Sequence, residues 1–312
     1  MGVSAAMRVL IIGCGYVGLP LGAGLVKQGH EVFGLRRSAA AESDLKAAGI
    51  TLLIGEITKP KELARLPGVY DWVVHCVSSS GGGAEEYRAV YLQGTRNVIE
   101  WLSPSPPKKF VYTSSTSVYG QTDGSLVKET SPTEPASETA RVLVETEKVL
   151  LEAAQQNKFP AVILRVAGIY GPDRGYWFKQ YLKNEARIEG KGDRILNMIH
   201  RDDVVGAIIA ALKSGRPGEV YNAVDDEPVT QLAYFQWLAG TLGKWPPPFA
   251  PEDEHADRKR GLTNKKVSNR RLKMELGYQF KYPTFRQGYT AELLRLDRAG
   301  ELKIELESRE GI

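Results

Sequence analysis

Between Arg8 and Ser38 the chain reads RVLIIGCGYVGLPLGAGLVKQGHEVFGLRRS. The apolar run VLII at 9–12 has the length of a buried parallel strand and passes directly into Gly13, Gly15 and Gly18, spaced G-x-G-x-x-G. A second strand-like run at 31–35 arrives after one helix-length segment. Strand, tight turn, helix and strand thus follow in the order that a dinucleotide-binding unit requires. The three glycines act differently, since Gly13 makes the turn, Gly15 lets a pyrophosphate approach the backbone, and Gly18 lets the helix close on the strand. The amides at the helix start, around Tyr16 and Val17, then face the phosphates.

The end of the second strand selects the cofactor. An acidic residue about 20 positions beyond the glycines would bind the ribose 2′-hydroxyl of NAD. Here Arg36 and Arg37 stand in its place. A guanidinium fork matches a phosphate bidentately, so the 2′-phosphate of NADP is expected, with NAD the other possibility. The competing reading of the pair is a solvated surface doublet.

Further strand-like runs at 50–54, 71–77, 109–113 and 161–165 alternate with helix-like segments at 41–48, 85–102 and 137–156. That alternation specifies an α/β fold: a Rossmann-type, doubly wound parallel sheet with helices on both faces. Residues 1–170 are expected to form this NADP-binding domain. Residues 171–312 are expected to form a smaller α/β substrate lobe, some of whose segments return to the sheet. They hold a helix within 199–212, a strand at 219–222 and a helix near 230–242. Asp202 and Asp203, at a helix start, read as caps or as ligand contacts.

Ligands of such sheets lie at the carboxyl ends of the strands. Glu56, after the third strand, either meets the adenine edge or stands as a solvated loop carboxylate. Cys76, Val77 and Ser78 close the fourth strand, and the small residues at 78–83 either make room for a cofactor or form a flexible loop. Tyr87, Val90, Tyr91, Val98 and Ile99 of the next helix read as packing positions. The hydroxyl-rich stretch SSTSVYG at 114–120 follows the fifth strand, where one hydroxyl could hydrogen-bond a substrate carbonyl.

A net charge of +4 is small for 312 residues, and the basic cluster at 258–266 has no aromatic interleaving, which argues against nucleic acid. Only Cys14 and Cys76 occur, with neither C-x-x-C spacing nor a disulfide framework. They read as small buried residues or as reactive thiols in a reducing, cytoplasmic setting. MGVSAAM is no signal peptide and no apolar run reaches about 18 residues, so neither export nor membrane spanning is expected. The four histidines form no metal-ligand pattern.

Six segments in order extend the glycine motif over nearly the whole chain: GCGYVG at 13–18, GTRNVIE at 94–100, TSSTSVYG at 113–120, LRVAGIYGP at 164–172, IHRDDVVGAI at 199–208 and SNRRLKMELGY at 268–278. Together they resemble the extended short-chain dehydrogenases/reductases of the NAD-dependent epimerase/dehydratase family. The resemblance implies a Rossmann domain, a smaller substrate domain, and hydride-transfer chemistry on nucleotide-linked sugars or related hydroxyl-bearing molecules. It also implies a Tyr-x-x-x-Lys pair on the helix after the hydroxyl-rich loop, the tyrosine exchanging the substrate proton while a serine orients the carbonyl.

Ser115 matches that serine. Aligning Glu147-Lys148-Val149-Leu150 with the family's helix end puts Thr139 at the tyrosine position and Leu143 at the lysine position, and residues 134–156 contain no tyrosine. A threonine hydroxyl titrates far above the tyrosine value of about 10, so the usual proton-transfer pair is missing. In this the chain resembles an atypical subgroup of the family. Arg141, two residues beyond Thr139, is expected to position an anionic group or polarise a carbonyl. Tyr119, Tyr170 and Tyr176 stand either as substitute acids or as packing and substrate-wall aromatics.

Two functions follow. One is an NAD(P)-dependent oxidoreductase or epimerase/dehydratase-like enzyme acting on a nucleotide-sugar-like or small carbonyl substrate. The other is a catalytically inactive NADP(H)-binding regulatory or scaffold protein. The resemblance further implies a homodimer through the helices near 85–102 and 137–156.

Overall fold

A computed structural model describes residues 5–79, 81–251 and 263–302. Ser80 of the small-residue loop and 258–262 of the basic cluster lie outside the described residues. The chain opens with β1 (Arg8–Ile12), α1 (Gly18–Lys27), β2 (Glu31–Arg36), α2 (Glu42–Ala47), β3 (Thr51–Ile54), α3 (Pro60–Leu63) and β4 (Trp72–His75). Then come α4 (Ala84–Tyr87), α5 (Gly94–Leu102), β5 (Lys109–Ser115), β6 (Leu126–Val127), α6 (Glu138–Asn157) and β7 (Ala161–Val166). Beyond them lie β8 (Gly168–Tyr170), α7 (Tyr176–Leu182), β9 (Ile195–Leu196), β10 (Met198–His200), α8 (Arg201–Ser214) and β11 (Val220–Ala223). The last elements are β12 (Val229–Thr230), α9 (Gln231–Leu242), β13 (Lys266–Val267), α10 (Arg270–Leu276) and α11 (Phe285–Arg298).

Seven strands form one sheet in the order β11-β7-β5-β4-β1-β2-β3, and every pairing is parallel. Strand alternation explains why both faces are covered. On β1, Val9 and Ile11 enter one apolar cluster while Leu10 and Ile12 enter the other. The first cluster takes Leu21 and Leu25 of α1 with Val204, Ile208 and Leu212 of α8. The second takes Val98 and Leu102 of α5 with Leu150 and Ala153 of α6. The near-continuous apolar runs of these strands are what burial on two faces demands. A third cluster, built on Tyr234, Phe235, Phe285, Tyr289 and Leu293, is the core of the carboxyl-terminal part. The sheet itself draws β11 from beyond residue 170, where Val220 to Ala223 pair with Ile163 to Val166.

The sheet order reverses between β1 and β4, with β2 and β3 to one side and β5, β7 and β11 to the other. A crevice opens at the carboxyl ends of strands at such a switch point. The segment 84–102 departs from the single regular helix expected from the sequence, because a π-helical turn, Arg88–Gln93, separates α4 from α5. Such a turn rotates the residues that follow it and recurs near functional sites.

A buried polar network crosses the sheet behind the crevice. The Arg165 guanidinium donates to both Glu147 carboxylate oxygens, with its Nη2 at 2.7 Å, and Glu147 also accepts from Ser114 Oγ at 2.5 Å. Arg165 Nη1 donates to the Tyr119 hydroxyl and to the Glu129 carbonyl, and Tyr119 in turn donates to Asn222. Burial opposes the Arg165 charge, but the Glu147 carboxylate outweighs it and holds the guanidinium above its ordinary range. Glu147→Gln would leave that cation buried without its main counter-ion. The expected cost is about 3–5 kcal/mol in urea unfolding, and a loss under about 1 kcal/mol would contradict the role given to the pair.

Candidate functional site

At the switch point lies a cavity of about 380 Å³. Its floor is the turn after β1. Gly13 has φ +91°, and a Cβ there would sit 2.8 Å from the backbone N and Cα of Val77. A Cβ on Gly18 would sit 2.6 Å from the Gly13 carbonyl oxygen, so the start of α1 rests directly on the turn. Gly15 differs from both, since a Cβ there would meet nothing within 4 Å. Its backbone therefore borders open space at the cavity floor. Among the described residues, the Tyr16 and Val17 amides donate to no protein acceptor, which leaves them available to an anion.

Gly13, Cys14, Gly15, Tyr16 and Val17 all line this cavity, as do Arg36, Arg37, Glu56, Cys76, Val77, Ser78 and Ser115. Gly18 lies beneath, shaping the turn without lining it. Arg36 Nη1 donates to the Cys14 carbonyl at 2.9 Å, which ties the end of β2 to the glycine turn. Glu56 pairs with Lys59 at 2.9 Å, and that hydrogen bond holds its carboxyl below the usual range. Glu56 is thus an ion-paired carboxylate in the cavity lining. Burial pushes the Cys14 thiol up to about 11 and the Cys76 thiol up to about 12. The Cys76 thiol donates to the Gly13 carbonyl at 3.3 Å, and both cysteines are free. They are structural thiols, not nucleophiles.

Several residues on the walls were not anticipated. Val90 and Tyr91 pack as expected, Tyr91 within the first apolar cluster and Val90 against the second, and both also line the cavity, where the Tyr91 hydroxyl accepts from the Ser79 amide. Arg174 lines the cavity from the opposite side and lies 5.0 Å over the Tyr16 ring, whose hydroxyl donates to the Pro172 carbonyl. Spacing along the sequence gave no sign of Arg174, which reaches the turn only through tertiary contact.

Ser115 caps the turn that follows β5, its Oγ accepting from the Ser117 amide at 3.2 Å. It borders both the main cavity and a second one of about 270 Å³, and Gly168 and Ile169 are also shared between them. Leu143 lines the main cavity, so an apolar side chain occupies the position where the family resemblance implies a lysine. Thr139 is buried one helical turn earlier, in the first turn of α6, and lies outside both linings.

Arg141 departs from expectation. It is exposed, and its guanidinium donates to the Ala136 carbonyl at 2.7 Å. Two residues along a helix turn a side chain about 200° away, so Thr139 and Arg141 cannot share a face. Arg141 therefore lies outside both cavity linings, away from any anion or carbonyl held there. Tyr119 is structural, its hydroxyl buried in the Arg165–Asn222 network, whereas Tyr170 and Tyr176 line the second cavity. Asp203 is a lock for the segment after α10, accepting from the Tyr278 hydroxyl and the Lys281 and Tyr282 amides. Asp202 pairs with Arg201 and Lys281, and the cap of α8 is the His200 imidazole.

Lys265 and Arg194 also line the second cavity. Lys265 is 4% exposed, and its ammonium donates to the Tyr119 carbonyl and to Thr263 Oγ1, both at 2.9 Å. Burial first, and then the nearby Arg194, push it down to about 8. Among the described residues no group of histidine, cysteine and carboxylate side chains could hold a metal ion, and no helix is long and apolar enough to cross a membrane.

The family model described as NAD dependent epimerase/dehydratase matches residues 9–223. The chain belongs to this family. Among its relatives, protein YeeZ of Escherichia coli strain K12 is 29% identical over 286 residues, 88% of this chain and 96% of that protein. The 3-diazoavenalumate denitrifying reductase of a Streptomyces species is 26% identical across 92% of this chain and all of that protein. The fold is shared with DesIV, a dTDP-glucose 4,6-dehydratase from Streptomyces venezuelae solved with NAD bound. That structure has a TM-score of 0.79 and 24% identity, covering 94% of this chain and 97% of that one.

The contacts at Gly13 generate a direct expectation. Gly13→Ala should cost about 2–4 kcal/mol, through the positive φ and the collision with Val77. Thermal unfolding checks it, and an unchanged melting temperature would contradict the close approach described.

Proposed function

We propose that the chain is an oxidoreductase of the epimerase/dehydratase type that uses NADP in preference to NAD and acts on a nucleotide-sugar-like or small carbonyl substrate. The observation that carries this reading is the main cavity. It puts the glycine turn, Arg36, Arg37 and Ser115 around one space at the switch point of a parallel sheet. The residues fit a dinucleotide: Gly15 leaves open backbone, the Tyr16 and Val17 amides are available, and two guanidinium groups stand at the end of β2.

In this reading Gly13, Gly15 and the amides that follow hold the pyrophosphate. Arg36 and Arg37 receive the 2′-phosphate, and Arg36 is already aimed by its bond to Cys14. Glu56 and the backbone from Cys76 to Ser78 border the nucleoside. The nicotinamide, when bound, supplies or takes up a hydride. Ser115 stands at the junction of the two cavities and orients the substrate carbonyl there. Leu143 leaves the wall apolar, and Thr139 is too weak an acid to replace the missing tyrosine. Two free thiols, Cys14 buried and Cys76 partly buried, are in keeping with a reducing, cytoplasmic setting.

The rival reading, a dinucleotide-binding regulatory protein without turnover, draws on the missing Tyr-x-x-x-Lys pair. The second cavity opening from Ser115 favours an enzyme, since a sensor has no need of a space for substrate.

Calorimetric titration with NADP, NADPH, NAD and NADH tests the cofactor choice in wild type and in a variant combining Arg36→Asp with Arg37→Ala. Wild type should bind NADPH about 10–100-fold more tightly than NADH, the range expected of charge-assisted bonds to a phosphate, and the variant should lose that preference. Equal affinities in wild type would overturn the NADP assignment. Oxidation of NADPH at 340 nm across a panel of nucleotide sugars and small carbonyls tests turnover, and its absence over a broad panel would count for the regulatory reading.

A further inference from the structure

The second cavity holds two cations that the fold leaves short of anions. Lys265 is buried, and no carboxylate lies within ion-pairing distance of it among the described residues. Its ammonium has three protons to donate and two acceptors, the Tyr119 carbonyl and Thr263 Oγ1. Arg194 Nε donates to the Thr263 carbonyl at 3.4 Å, while its Nη1 is buried and has no hydrogen-bond partner. The carboxylate facing it, Glu189, is 3.7 Å away, beyond hydrogen-bond length.

Burying a charge is costly unless it is paired and hydrogen-bonded, and two such cations in one small space repel each other. Burial lowers the proton affinity of both, and for Lys265 the charge of Arg194 adds to the effect. Neither group serves the sheet or the dinucleotide cavity. The fold instead commits several bonds to holding their segments in place. Asn197 accepts from the Val267 amide and donates to the Lys265 carbonyl, and Asn264 accepts from the Ile195 amide. The rest of the wall is aromatic, with Trp177, Tyr289 and the 67% exposed Tyr176.

We infer that this cavity binds a small oxyanion: the carboxylate or phosphate of a substrate sits on Arg194 and Lys265 and its carbonyl lies against Ser115. The inference rests on the oxidoreductase reading for the carbonyl at Ser115, and on the two cations alone for the anion. Arg194, Lys265 and Ser115 all border this one cavity of about 270 Å³, so a single small molecule spans the cations and the serine. The substrate class is thus a small carbonyl compound that carries its own negative charge, with an aromatic or other flat body between the two groups.

The test is calorimetric titration of the full chain, with and without saturating NADPH, using sodium benzoate, its neutral analogue benzamide, inorganic phosphate and UDP. Wild type should bind benzoate or phosphate and not benzamide; the tighter of the two tells carboxylate from phosphate. Arg194→Gln and Lys265→Met should each weaken that binding at least about tenfold while leaving NADPH affinity within about twofold. Lys265→Met keeps the apolar stem. Arg194, whose side chain is 25% exposed, carries the test where the lysine variant does not fold. Equal binding of benzamide, or unchanged anion affinity in the variants, would overturn the inference. UDP held more tightly than either small anion by the same two cations would overturn the small-substrate class. Loss of NADPH binding with anion binding intact would instead sink the oxidoreductase reading and leave the anion site standing.

Discussion

The structure turns on the close approach of two backbones at Gly13. The Gly13 amide donates to the Leu35 carbonyl at the end of β2, and the Cys76 amide donates to the Ile12 carbonyl, so three strand ends meet at one residue. Only a residue without a Cβ fits there, because that atom would collide with Val77 and the backbone is at positive φ. From this junction the other parts take their places. Gly18 brings α1 down onto the turn, Cys14 accepts from Arg36, and the Cys76 thiol donates to the turn itself. The cavity is the space that these constraints leave above the sheet.

A second set of bonds fixes the opposite wall. Glu147 on α6 and Arg165 on β7 hold Ser114 and Tyr119, which flank Ser115 and the turn it caps. Ser115 is therefore positioned from both sides by a buried ion pair, not by the flexible chemistry of a loop. The same Tyr119 offers its carbonyl to Lys265. One residue thus links the sheet network to the second cavity, and the arrangement of Ser115 and Lys265 depends on the Glu147–Arg165 pair.

The Rossmann half was legible because its signals are local. An apolar run, a glycine spacing and a basic strand end lie within 31 residues of sequence, the first two acting through backbone geometry and the last through side-chain charge. The residues named from that stretch as candidates for the cofactor therefore border one cavity, with Gly18 beneath it. Helical phase was the weaker guide. Arg141 was placed by its distance along the chain from Thr139, but two steps on a helix carry it to the outer face. Val90 and Tyr91 pack as their spacing suggests, but that they also line the cavity depends on tertiary contacts their spacing does not carry. Arg194 and Lys265 are about 70 residues apart, and their segments are joined by the side chains of Asn264 and Asn197, a contact that no period in the sequence signals.

The central claim, that the turn after β1 carries a pyrophosphate, is tested most directly at Gly15. A Cβ there meets no protein atom within 4 Å, so Gly15→Val disturbs only what occupies the cavity. Calorimetric titration of this variant with NADPH, beside its thermal unfolding, is the deciding measurement. The account predicts an unfolding temperature close to wild type and a loss of NADPH affinity of at least about tenfold, as a side chain takes the space of the phosphates. Wild-type affinity in the variant would contradict it, because the dinucleotide would then lie elsewhere.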